Sequence, residues 1–246
     1  EDARYLVEAV NSHPAINTVR LENCFGNDIN GYGILQSLLA GDKNFTYIDF
    51  NNNYIRTGGS TAISDYIATN PSLEILRLSD NHLNDDDARL IARALKHNTN
   101  LEVLGLGDNN ITEVGVKALS KAVYNPESLN SLADCNHTCI MYGIDFGCIP
   151  ENNHQSTPLD NRSRKIYHLL SVRNREGSNA YHFNLELGDE EDDDDEQLGL
   201  VPHVLESVNR YAKRRPAYYE SSPLSIMYEI LQSWKMPELY ERSGNN

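Results

Sequence analysis

The sequence predicts an α/β solenoid of parallel strands and helices. Three observations carry the expectation. First, one pattern returns every 28 residues: FTYIDFNNNYI from Phe45, LEILRLSDNHL from Leu73 and LEVLGLGDNNI from Leu101. A looser copy, INTVRLENC, starts at Ile16, and a degraded one, LNSLADCNHTC, starts at Leu129. Second, the tenth and sixth residues before each strand are apolar: Leu6 and Val10, Leu35 and Leu39, Ile63 and Ile67, Ile91 and Leu95, Leu119 and Val123. A spacing of four marks one face of a helix. Third, Asn53, Asn81 and Asn109 recur in register, placed to hydrogen-bond turn backbone that stacking would leave unsatisfied. A fixed period of this length means stacked supersecondary units with one long continuous surface.

Within each unit the elements follow from the pattern. Alternation at Leu76 and Leu78, and at Leu104 and Leu106, turns one side of a short strand inward. The residues between them then face the concave side in rows. Thr18, Tyr47, Ile75, Val103 and Ser131 form the first row, and Arg20, Asp49, Arg77, Gly105 and Ala133 the second. Glu22, Asn51, Ser79, Gly107 and Cys135 form the third.

The L-x-x-L-x-L-x-x-N strand, a full helix and the 28-residue period resemble the leucine-rich repeats of the ribonuclease-inhibitor-like subfamily over roughly residues 1–139. That resemblance implies a horseshoe with parallel strands on the concave face and helices on the convex face. The degraded last unit and the tail, through Trp234-Lys235-Met236-Pro237, are similar to uncharacterised leucine-rich-repeat proteins of diatoms and related algae, which implies no activity. Repeats of this subfamily followed by an acidic stretch also resemble the Ran GTPase-activating proteins, implying a small-GTPase regulator as an alternative. No catalytic residue carries over from that likeness.

Domain organisation is read as a solenoid over 1–139, a boundary loop over 140–160 and a mainly helical cap over 161–246. Residues 1–10 look like the helical half of a unit, so further repeats are expected ahead of them. In the copy at Leu129, Asp134 replaces an inward Leu and His137 replaces the turn Asn, and a buried unpaired charge stops a stack. Beyond it, Arg164–Val172 reads as an amphipathic helix and the alternation of Tyr181, Phe183, Leu185 and Leu187 as a strand. Pro202 and Ser222-Pro223 open two further helices. Between them, Asp189–Glu196 is a run of eight acids, read as a solvated loop; it supplies −8 of the net charge of −15.

Composition and motifs bound the function. The overall charge argues against nucleic-acid binding, which needs a basic stripe. There is no apolar run of about 18 residues, which argues against membrane insertion. Cys24 and Cys139 are read as core thiols, the latter in the place of Leu83 and Ile111. Cys135, His137, Cys139 and Cys148 have no standard zinc spacing, so no metal is assigned. Reduced thiols point to the cytoplasm or the nucleus, with an organelle left open by the expected missing N-terminal part. Four N-x-S/T triplets, at Asn44, Asn110, Asn136 and Asn161, reflect the Asn-rich turns. No nucleotide-binding, zincin or nucleophile-elbow motif occurs, so the chain is read as non-enzymatic and without a cofactor. The expected function is a scaffold or protein-binding module. Its partner would lie on Tyr47, Asp49, Asn51, Ile75, Arg77, Ser79, Asp80, Val103 and Asp108. A structural subunit, held through the aromatics Tyr218, Tyr219 and Trp234, is a further alternative.

Overall fold

A computed structural model describes residues 2–26, 31–187, 204–206, 208–210 and 225–227. The acidic run, the tail aromatics and most of the two last helices expected from the sequence lie outside them. The chain divides into two compact units, one of residues 1–124 and 135–157, the other of 125–134 and 158–246.

The first unit is an α/β leucine-rich-repeat solenoid. Its elements run α1 (Asp2–Ser12), β1 (Thr18–Arg20), α2 (Gly31–Leu39), β2 (Tyr47–Asp49), α3 (Ala62–Ala68), β3 (Ile75–Arg77), α4 (Asp85–Leu95), β4 (Val103–Gly105) and α5 (Glu113–Val123), and it ends with the strand at Ile140–Tyr142. The five strands pair in parallel in chain order. Their middle residues, Val19, Ile48, Leu76, Leu104 and Met141, point inward and are buried. Each such side chain stabilises the stack by ~1.5–3 kcal/mol relative to exposure. The helical rule holds as well: of its ten positions only Leu6 is exposed.

The Asn ladder supplies the polar half of the core. Asn81 accepts from the backbone N–H of Asn53 at 3.0 Å and of Ile55 at 2.9 Å. It donates to the carbonyls of Phe50, Leu78 and Ser79, each at 3.0 Å. Asn53 does the same for Cys24, Phe25, Leu21 and Asn51, and Asn109 for Leu83, Leu78, Leu106 and Gly107. A second ladder at the strand entries was not foreseen. Asn98 donates to the Ile67 carbonyl and accepts from Asn100 and Leu101. Asn136 repeats this towards Leu95 and Asn98, and towards Thr138 and Cys139.

The fifth unit departs from the expectation. The copy at Leu129 is not a strand: Leu129–Ala133 is a helix, α6, capped by the Ser128 hydroxyl on the Ser131 N–H. The strand β5 is Ile140–Tyr142, inside the segment read as a boundary loop, and Val103 pairs with Ile140. Ser131, Ala133 and Cys135 therefore drop out of the concave rows. Asp134 is exposed at the end of α6, so it is no inward charge and no stop signal. Asn136 takes the place of Asn98 in the second ladder, so His137 lies at the strand entry and not at the turn. Cys139 is buried, but it follows Asn136 as Leu101 follows Asn98, rather than replacing Leu83 or Ile111. Cys24 is exposed and is no core thiol: its N–H donates to Asn53 Oδ1 and its thiol donates to the Glu22 carbonyl.

Two glycines hold β5 against β4. Gly143 has φ 77°, and a Cβ there would lie 2.3 Å from the Gly107 Cα. Only backbone fits at that approach.

In the second unit α7 (Pro158–Arg175) is longer than the expected helix, and α8 (Asn179–Leu187) replaces the expected strand. Gly177, at φ 64°, ends α7, and the Ser178 carbonyl then starts α8 by accepting from His182. Within this unit Glu186 accepts from buried Arg173 at 2.8 Å and from the Leu129 N–H at 3.1 Å.

Candidate concave-face binding site

The strands set the positions of the candidate side chains. Register places Arg20, Asp49 and Arg77 side by side on β1, β2 and β3. It places Tyr47 opposite Thr18 and Ile75. Strands stand ~4.8 Å apart, so long side chains from one row reach the next.

The result is a compact cluster. The Arg20 guanidinium lies over the Tyr47 ring, 4.6 Å from its centroid, and the Arg77 guanidinium lies 5.6 Å from it. One cation thus comes from each neighbouring strand. The Tyr47 hydroxyl donates to Asp49 Oδ2 at 3.2 Å, and Arg77 Nη1 stands 3.6 Å from the same oxygen. Asp49 Oδ1 accepts from the Asn51 N–H at 3.1 Å. Asp49 is 3% exposed, whereas the Arg77 side chain is 47% exposed. The carboxylate is therefore a buried post, and the ring and guanidiniums stand on it facing outward. Stacking and the ion pair fix rotamers that free Arg side chains would sample, so little entropy remains to be lost on contact.

The remaining expected residues divide. Ile75 and Val103 are half-buried beside this cluster. The Asn51 side-chain oxygen is engaged by the sheet, since Oδ1 accepts from the Ser79 N–H at 2.8 Å. Ser79 is half-buried next to Gly105, where a Cβ would come 3.1 Å from its hydroxyl oxygen. Asp80 and Asp108 are exposed on the strand-exit edge. Both adopt left-handed backbone, with φ 55° and 53°, as do Asn23 and Asn52 at the matching turns. Short Asn and Asp side chains tolerate that conformation, so the fold alone accounts for their identity.

Two concave residues are absent from the expected set. Arg20 lies in the second row beside Asp49, and its row position was the available signal. Tyr142 is 51% exposed and pairs with Gly105 across β4 and β5. Its signal was the alternation of Ile140 and Tyr142 about buried Met141, hidden because the last unit breaks the 28-residue period. The face thus passes from an Arg–Tyr–Arg cluster, over half-buried Ile75 and Val103, to a floor of Gly105 and Gly107 beside Tyr142.

Of the four residues considered for zinc, Cys135 and Cys139 are buried while Cys148 is exposed, and Cys135 Sγ points to the Lys121 carbonyl at 3.5 Å. Among the described residues no three His, Cys, Asp or Glu side chains gather as a metal site. No helix among the described residues is long and apolar enough to cross a membrane.

Comparison with known proteins agrees with the repeat geometry. The family model described as Leucine Rich repeat matches residues 69–92 and 97–120, the units built on β3–α4 and β4–α5. No curated protein matches the chain. Among solved structures, one described as Leiomodin-1 Actin-Binding Site 2 (ABS2) is 18% identical, with a TM-score of 0.32, over 85% of this chain and 91% of that one. At that score the likeness bears on neither the fold nor the function of this chain.

Proposed function

We propose that this leucine-rich-repeat solenoid is a non-enzymatic protein-binding module whose partner lies on the concave face. The observation that carries the reading is Tyr47, braced between Arg20 and Arg77 on a buried Asp49. Tyr and Arg are the residues over-represented among interface anchors, and rigid anchors lose the least entropy when a partner docks. Half-buried Ile75 and Val103 give the contact an apolar centre, and exposed Tyr142 gives it a second aromatic. The reading needs no cofactor and no metal.

The experiment is a crosslinked pull-down from native lysate with the full chain beside a Tyr47→Ala, Arg77→Glu double variant shown by circular dichroism to be folded. A partner captured by the wild type and lost from the variant is the expected result. Equal capture by both would overturn the concave-face reading. The regulator of a small GTPase and the structural subunit have no specific observation in their favour among the described residues, and Tyr218, Tyr219 and Trp234 lie outside them.

A further inference from the structure

We propose that the Arg20–Tyr47–Arg77 cluster is a receptor for a single carboxylate, supplied by an acidic side chain of the protein partner; this rests on the concave-face reading above. The charge balance is the first argument. Two guanidiniums meet one buried carboxylate, Asp49, which already holds Arg77 and the Tyr47 hydroxyl. Among the described residues no carboxylate pairs with Arg20, which is exposed on β1. One negative charge from outside closes the balance.

Geometry is the second argument. A guanidinium lying over an aromatic ring keeps its in-plane N–H edge free, and that edge matches a carboxylate bidentately. Arg77, with its side chain 47% exposed, has donors left after its contact with Asp49. The two cations approach one ring from β1 and β3, so an anion above Tyr47 is in reach of both.

Charge also selects the ligand class. A polyanion such as nucleic acid meets the repulsion of a chain carrying −15. A phosphate dianion brings a second negative charge next to Asp49, which the cluster does not balance. One carboxylate set among apolar neighbours fits both the local charge and the half-buried Ile75 and Val103 beside it.

The test uses the full chain and the peptide acetyl-Leu-Glu-Leu-amide, with acetyl-Leu-Gln-Leu-amide and inorganic phosphate as comparison probes. The readout is the Nε–H resonance of Arg20 and Arg77 by nuclear magnetic resonance. The glutamyl peptide is expected to shift both resonances saturably, and the glutaminyl peptide to shift neither. Arg20→Gln, at an exposed position that leaves the core untouched, is expected to weaken the glutamyl peptide about fivefold. Asp49→Asn, which removes the competing charge, is expected to tighten it about threefold. Equal binding of the two peptides, stronger binding of phosphate, or an Arg20→Gln variant that binds unchanged would each overturn the proposal. If partner capture is lost in the Tyr47→Ala, Arg77→Glu variant while the arginine resonances ignore the glutamyl peptide, the concave-face reading stands and this one falls. Unchanged capture in that variant overturns the concave-face reading, and the assignment of the carboxylate to the partner falls with it, whatever the arginine resonances do.

Discussion

Replacing Asn81 by Ala tests whether the Asn ladder holds the solenoid together. Asn81 is 3% exposed and makes five hydrogen bonds to backbone. Two of its five partners keep another bond in the variant: the Leu78 carbonyl still accepts from Asn109, and the Ser79 carbonyl from the Asn52 N–H. The Asn53 N–H, the Ile55 N–H and the Phe50 carbonyl are left without a partner. Each buried orphan costs ~1–3 kcal/mol, and partial relaxation or water entry sets the total near the low end, about 3–5 kcal/mol. Asn109→Ala strands only the Leu83 N–H and the Leu106 carbonyl, so it is expected to cost less, about 2–3 kcal/mol. The assay is urea unfolding followed by helical circular dichroism, with a thermal scan beside it. For a chain of this size the Asn81 variant is expected to melt about 10 °C lower. A loss below about 1 kcal/mol would refute the reasoning, because it would mean that the ladder bonds are replaced by water at no cost.

Two further predictions concern how neighbouring units are locked. Gly143→Ala puts a Cβ 2.3 Å from Gly107 Cα and 2.6 Å from Gly107 N on backbone at φ 77°, so it is expected to detach β5 and cost about 2–5 kcal/mol, read by urea unfolding. A cost under about 1 kcal/mol would show that the close backbone approach is not needed. Asp85 accepts from the Thr112 hydroxyl at 2.7 Å, the Thr112 N–H at 2.7 Å and the Gly115 N–H at 3.1 Å, bridging α4 to the start of α5. The Thr112 hydroxyl above all, then these N–H groups and Arg89, hold its pKa below the ordinary 3.8 against a smaller opposing effect of desolvation. A carboxylate depressed on folding stabilises above its unfolded value, and that contribution disappears as pH falls through the folded value. Stability measured from pH 6 down to below 3.8 should therefore fall more steeply in the wild type than in Asp85→Asn, and parallel curves would count against the bridge.

The sequence by itself determined the solenoid, because the solenoid is a sum of local rules. Inward Leu76 and Leu104, the helical pairs from Leu35 and Leu39 to Leu119 and Val123, and the ladder of Asn53, Asn81 and Asn109 each meet the same neighbours one unit away. Where period and environment repeat, position in the unit is position in space. The concave rows of the first four strands followed for the same reason, so position in the repeat alone puts Tyr47, Asp49 and Arg77 together. What sequence could not give was the last unit and the second compact unit. There α6 occupies Leu129–Ala133 and the strand lies at Ile140–Tyr142, and Tyr181–Leu187 is helix, with Glu186 bonded to Arg173 and the Leu129 N–H. Those outcomes depend on partners far along the chain, and no local period reports them. Tertiary structure alone also decided which candidate residues stay available. The Asn51 side-chain oxygen is engaged by the Ser79 N–H, and Asp80 and Asp108 sit in left-handed turns. Arg20, placed in the second row by sequence but left out of the expected contact set, stands over Tyr47 with a charge that no carboxylate among the described residues matches, because stacking one strand beside the next is what brings its guanidinium to that ring.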